Sequence, residues 1–504
     1  MSLNQIPDFM LSDDAGNVKD KIAVLSGVGG AFEKTNKSEF DEYKSETPSY
    51  PILFFEISYV ANAKYPYGDV RRYGAVGDGI VDDSDAIKRT FENFSNIELE
   101  NDKIYKLTKS IRPSQYIRVK GKNSLIRFDG TDHVYLFYND NSGTMDTNWE
   151  FADTSFVANV PATSETVLFR LDMHSVDYIG FENCKLIANY ALNAKIDLFF
   201  IYKTSCKRVV FNNCELYNYT KSTVGGSLFL RSSNKDLLLE LNNCYVYQVS
   251  RDEIIGFYGN GGGNVLAKNC KFYKVSGINT DKVFSIFNGV DGELTSYDKF
   301  ITFEDCSIDV TNDIGIVTTS LATNTNIIDC LSKLTFKNCS INSETSTLFY
   351  SVSKTPSISY QKCLMNTITE ILNCTLKITG TLTTNIQSGT ITIYDSGIET
   401  SCPIFINGIY PSSLVYPLKL NIKNNVLFFS NVYTNIFERL ITSLSYIIDF
   451  TKNKIYNSAS KDTFTYADTW LYVPDYTNTS GKAYDFTNYI KIAENTYNHV
   501  DQSA

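Results

Sequence analysis

The sequence predicts an all-β chain, a single-stranded parallel β-helix whose start is closed by a short capping helix. Three observations carry this. Seven of the eleven cysteines stand in one recurring phrase: an alternating apolar strand, Asn or Asp, Cys, then a second short strand. The phrase falls at Cys184, Cys214, Cys244, Cys270, Cys306, Cys339 and Cys374, in steps of 30, 30, 26, 36, 33 and 35 residues, a period that marks stacked repeats. A third strand follows most of these cysteines, as at 227–231, 254–258, 283–287 and 403–407, so each turn holds three. Leucine-rich repeats have a tighter period and a Leu spacing that is absent here.

The elements follow in chain order. Residues 1–68 precede the repeats as a small segment of mixed composition. Residues 69–126 hold a Gly/Asp turn, an acid-rich helix start and the first coils. There Asp82, Asp83 or Ser84 can cap free amides, and Ile87, Phe91 and Phe94 form a stripe at helical spacing. Such a helix shields the open end of a solenoid. Residues 127–455 form the solenoid body. Within each repeat, alternation such as Val209-Val210-Phe211 is the period of a strand with one buried face. Asn and Asp tolerate the left-handed conformation and so turn the chain without Gly, while Cys points inward as a small apolar residue. The phrase continues without Cys at Asp395-Ser396, Asn424-Asn425, Asn453 and Asn495. Residues 456–504 supply a final coil and the C-terminal end, with a last strand near Ile490-Lys491-Ile492.

Composition narrows the class. Charged residues make up 20% while Tyr (34) and Phe (32) abound, which suits a β-rich fold and argues against disorder. A net charge of −10 argues against a nucleic-acid binder, which needs a basic face. An odd number of cysteines, most at one stacked position, predicts a buried reduced ladder in place of a disulfide framework. Residues 1–10 lack a basic region and an apolar run, which predicts no signal peptide. No apolar stretch approaches a membrane span, so no membrane insertion is expected. No cofactor is expected, and no tight Asp/Glu cluster predicts a metal.

The run Tyr73-Gly74-Ala75-Val76-Gly77-Asp78-Gly79, then Asp82-Asp83, then Ala86-Ile87, resembles the opening of the pectate-lyase-like superfamily, in the branch of bacteriophage tailspikes and capsule depolymerases. The likeness covers 69–126, and the Asn-Cys repeats extend its architecture to about 497. It implies a right-handed winding, a homotrimer, and recognition and cleavage of a bacterial capsular or O-antigen polysaccharide. It also implies a place in the virion, folded in the host cytoplasm, with residues 1–68 joining the phage tail or another tailspike. The motif belongs to the cap, so Asp78, Asp82 and Asp83 are expected to serve the turn and not catalysis.

Outward positions on the third strands should line one long face. Substrate-binding candidates there are Phe229, Arg231, Tyr258 and Phe287, since aromatic faces stack on sugars and Arg holds an acidic sugar. The same aromatics would equally suit a trimer interface. By alternation Phe405 and Asn407 join that face. Hydrolysis needs two carboxylates about 5–9.5 Å apart, which adjacent coils can supply. The candidates are Asp252 and Glu253, Asp281, and Asp291 and Glu293, beside glycine runs that let backbone approach a ligand. Trp149, with Asp146, Glu150 and Asp153, is read as an acidic loop overhanging the groove. Elimination would need a base and a positive charge. His174 is the best-placed histidine for it, and Lys or Tyr could replace it. A polysaccharide lyase and a non-enzymatic glycan-binding spike therefore stand as alternatives.

Overall fold

A computed structural model describes the strand-bearing segments between residues 65 and 499. Residues 1–64 and 500–504 and many connecting segments, the longest being 220–236, 353–366 and 468–488, lie outside the described residues.

The chain is a right-handed parallel β-helix. Among the described residues every strand pair is parallel, in sheets of 27, 8 and 3 strands. Each coil places one strand before the Asn bend and one after it, and these stack as two columns. Arg208–Asn212 pairs with Leu237–Asn242, and Glu215–Asn218 with Tyr245–Gln248. The columns merge at the start, where Ile117–Phe128 and Thr147–Ala158 each run through the bend. The third strands form the smaller sheets, from Val134–Asn139 to Ile196–Ile201 and from Ile255–Phe257 to Thr465–Ala467.

The bend behaves as its residues require. Asn183, Asn213, Asn243, Asn269, Asp305, Asn338, Asn373, Asp395 and Asn424 all have φ between 51 and 57°, the left-handed region that Asn and Asp enter most readily. Their side chains link rung to rung: Asn243 Nδ2 donates to Asn213 Oδ1 at 3.2 Å, and Asn269 Nδ2 to Asn243 Oδ1 at 2.7 Å. In the last coils Lys452 and Glu494 hold the bend at φ 60° and 59°. The repeat also starts earlier than the cysteines indicate. Asn123-Ser124 and Asp153-Thr154 are two further bends, in register with each other.

Inside each bend the residue after Asn is buried. Ser124, Thr154, the seven repeat cysteines, Ser396, Asn425 and Asn453 form one internal column. The thiols are free, as the stacked geometry predicted, and each donates to a backbone carbonyl, as Cys244 Sγ does to Phe211 O at 3.4 Å. Hydrogen bonding among ladder thiols, with burial, holds Cys214 and Cys306 above the ordinary thiol range. Beside the column runs a stack of rings: Phe181 lies 4.6 Å from Phe211 at 2°, and Phe303 lies 5.2 Å from Phe336 at 11°. Burying each such side chain is worth about 1.5–3 kcal/mol.

The helix α1 (Ser84–Asn93) closes the first coil. Ile87 and Phe91 are buried, Phe91 packing 5.8 Å from Phe137. Phe94 is half-buried against Tyr67 and Tyr73. Asp83, the N-cap, makes no side-chain cap bond. Its carboxylate turns back to accept from Val76 N at 2.7 Å and Gly77 N at 3.1 Å, while Asp82 Oδ1 accepts from Ser84 N at 3.0 Å. Gly77 stands at φ 66°, where a Cβ would come within 3.0 Å of Lys103 Cβ and the Tyr105 ring, so only glycine fits this turn.

Candidate functional site

The acids of the cap have structural work. Asp78 accepts from Ile80 N at 2.8 Å and Val81 N at 2.9 Å, and these bonds lower its pKa. Burial raises that of Asp82, but bonds from the Ser84 and Thr108 hydroxyls outweigh it and leave the carboxyl below its ordinary value. Burial raises that of Asp83, against the pull of two backbone amides. Each carboxylate closes a turn.

The outer faces of the two bend columns are laced by ion pairs. Arg118 meets Glu150 at 3.3 Å, Lys207 meets Asp177 at 2.7 Å, and Arg208 grips Glu240 at 2.8 and 3.1 Å. Lys337 meets Glu304 at 2.6 Å, Lys333 meets Glu370 at 2.9 Å, and Lys423 meets Asp449 at 2.6 Å. The Lys337 contact holds Glu304 below the usual carboxylate range, and Lys185 does the same for Glu215. A general acid needs the opposite shift. These carboxylates are cross-coil braces.

One sequence expectation is corrected here. Trp149 does not overhang a groove. It lies within Thr147–Ala158, its side chain is 0% exposed, and its ring sits 6.4 Å from that of Phe137. From Thr147 onward the supposed acidic loop is another bend unit, in which Asp153 turns the chain at φ 51° and Trp149 and Phe151 point inward; Asp146 lies outside the described residues. A buried indole cannot hold substrate.

The third sheet carries what is described of the predicted face. Ile255 pairs with Phe284 and Gly256 with Ser285. Ile255 and Phe284 are buried, and Phe287 pairs with Ser320 on the next coil. By register Phe405 falls in the row of Phe284, Val317, Phe349 and Thr383, and Ile406 in the row of Gly256, whereas the sequence expectation groups Phe405 with Gly256. Phe229, Arg231, Tyr258, Asp252, Glu253, Asp281, Asp291 and Glu293 lie outside the described residues. Among the described residues no group of three metal-ligating side chains converges, and no helix is long and apolar enough to cross a membrane.

Sequence reading passed over a tyrosine cluster on the post-bend column. Tyr217, Tyr247 and Tyr273 share one outward row, and Tyr247 and Tyr273 stack at 5.3 Å and 13°. The signal was present, since each stands three residues after a repeat cysteine.

Cap, bends and three stacked strand columns define a capped parallel β-helix, an assignment that rests on the chain's own strand pairing. No protein-family model matches the sequence, and no curated protein is similar to it. Among solved structures, the A-module of a mannuronan C-5 epimerase of Azotobacter vinelandii is similar at 11% identity and a TM-score of 0.41, over 86% of this chain and 100% of that one. Tailspike protein 3 of bacteriophage CBA120 is similar at 12% identity and a TM-score of 0.36, over 84% of this chain and 65% of that one. An exopolygalacturonase of Thermotoga maritima is similar at 10% identity and a TM-score of 0.31, over 77% and 86%.

Proposed function

We propose that the protein is a phage tailspike depolymerase, a homotrimer that binds a bacterial capsular or O-antigen polysaccharide and cleaves it by glycoside hydrolysis. The cap motif of residues 73–87 supports the family reading. A lengthwise stack of parallel strands supports a long polymeric substrate.

One observation carries the catalytic reading. The strands Ile255–Phe257 and Lys282–Asn288 pair in register on successive coils, Ile255 against Phe284. Asp252 and Asp281 each stand three residues before those partners in sequence. Successive coils stack about 4.8 Å apart. A retaining glycosidase holds its carboxylates about 5–5.5 Å apart, one as nucleophile and one as acid and then base. Glu253, Asp291 and Glu293 flank the same strands and complete the candidate set. The braced acids on the other two faces are poor competitors for this role, because a cation already holds each.

The test is incubation with a panel of capsules and O-antigens. New reducing ends without the ultraviolet absorbance of an unsaturated uronate are expected, with loss on Asp252→Asn or Asp281→Asn. That absorbance would mean elimination, and binding without cleavage would mean a glycan-binding spike. Full activity in both variants would refute the pairing of these two acids.

A further inference from the structure

Five tyrosines, Tyr217, Tyr219, Tyr245, Tyr247 and Tyr273, gather on the outer side of three consecutive post-bend strands, Glu215–Asn218, Tyr245–Gln248 and Lys271–Val275. The inward residues of those strands, Leu216, Val246 and Phe272, are buried, so the tyrosines are not core. Tyr219 is 37% exposed and the other four are half-buried. The rings touch as a continuous strip: Tyr217 to Tyr219 at 5.6 Å, Tyr219 to Tyr247 at 5.4 Å, and Tyr247 to Tyr273 at 5.3 Å. Tyr219 against Tyr247 at 44° and Tyr217 against Tyr245 at 50° are tilted and not stacked, while Lys185 Nζ lies 4.7 Å over the Tyr217 ring. The row then passes to Asp309 and Asn342, so the strip ends after three coils.

Charge and composition indicate the occupant. Lys185 pairs with Glu215 at 3.0 Å, and Tyr217 donates its hydroxyl to the same Glu215 oxygen at 3.0 Å. Lys271 and Asp309, of opposite sign, stand at the far end. Among the described residues the charges beside the strip, Lys185, Glu215, Lys271 and Asp309, therefore cancel, which gives no preference for an acidic polymer. The strip's aliphatic members are few: Ile187, Val249 and Val275 are half-buried on the same outward rows, a smaller apolar centre than a subunit interface builds. Phenol rings offer flat apolar faces, and their hydroxyls donate and accept. That pairing matches a pyranose, apolar on its C–H face and ringed by hydroxyls.

We propose that this tyrosine strip is a glycan-binding surface for an uncharged oligosaccharide segment, separate from the third sheet and its flanking acids. The proposal stands on these rings alone and does not need the hydrolase reading.

The test is calorimetric titration of the full chain with size-fractionated neutral glucan, galactan and mannan fragments, with oligogalacturonate in parallel. A neutral fragment is expected to bind. Tyr219→Ala and Tyr247→Ala should each weaken it roughly tenfold, Tyr247→Phe less because the ring remains, and Tyr456→Ala on a distant coil not at all. Circular dichroism checks that each variant is folded, and the Phe variant covers a failure of the Ala variant to fold. The proposal is overturned if no neutral fragment binds, if oligogalacturonate alone binds, or if the variants bind like the native chain. It is equally overturned if Tyr247→Ala dissociates an oligomer in ultracentrifugation, which would assign the strip to a second copy. Asp252→Asn should leave this binding unchanged, so failure of the catalytic reading and failure of this one are separable.

Discussion

Replacing Asn453 tests whether the internal column holds the C-terminal coils together. This residue is 0% exposed. Its Oδ1 accepts from the backbone N and the Nδ2 of Asn425, both at 3.0 Å, and its Nδ2 donates to Ile422 O at 2.9 Å and Asn495 Oδ1 at 3.1 Å. After Asn453→Ala the Asn425 amide still reaches Ile393 O at 3.0 Å, and Asn495 Oδ1 keeps the backbone N of residue 453 at 2.8 Å. The backbone N–H of Asn425 is left buried with no acceptor. That orphan costs about 1–3 kcal/mol and the lost bond to Ile422 O about 1 more, so the variant should lose about 2–4 kcal/mol. Asn453→Cys should lose roughly half as much, because thiols already serve this role elsewhere: Cys374 Sγ accepts from Cys339 N at 3.3 Å. A solenoid opens locally, so the assay is hydrogen–deuterium exchange over the strands Leu418–Lys423, Tyr446–Thr451 and Tyr489–Ala493. Protection there should fall roughly 30- to 700-fold in the Ala variant. A fall below about threefold, or an equal fall in the Cys variant, would refute the argument that amide bonding secures this column.

Three other outcomes are expected. Asn243→Val places a β-branched residue at φ 54° and removes two rung-to-rung bonds; it should cost about 2–4 kcal/mol, against about 1 for Asn243→Gly, in urea midpoints. Asp82 has a folded-state pKa below its ordinary 3.8, so its contribution to the cap is present above that value and lost as pH falls through the folded one. Limited proteolysis of residues 69–107 against pH should register this loss, and Asp82→Asn should flatten the profile over that interval. The eight cysteines among the described residues are free and buried, Cys206 with its pKa pushed up to about 12, so alkylation of the native chain at pH 8 should leave these eight unmodified until denaturant is added; prompt labelling of ladder cysteines, read by mass spectrometry, would contradict the ladder.

Much of the coil was legible because its instructions are local. A left-handed bend admits few residue types, so Asn or Asp before a small residue announces it, and a strand with one buried face alternates. The coils at Asn123-Ser124 and Asp153-Thr154 escaped notice because Ser and Thr fill the inner slot where Cys had served as the marker. Trp149 was misplaced for a related reason. Beside Glu150 and Asp153 it reads as part of an acidic loop, and only the pairing of Ile117 with Trp149 reveals a strand whose inner face it occupies. The row of Phe405 was equally out of reach, since it is set by pairing with Thr383 on the preceding coil.

The chain's own residues determined a β-helix with asparagine bends, a reduced thiol column and a helix over its first coil. Each of these depends on conformational preferences and spacings that operate within a few residues. Tertiary structure alone decided which carboxylates are braced by a lysine or arginine on the next coil, and which aromatic rows turn outward. It also decided that five tyrosines meet as one strip. Those outcomes depend on what the coil above and the coil below present at the same rung, some 30 residues away in sequence.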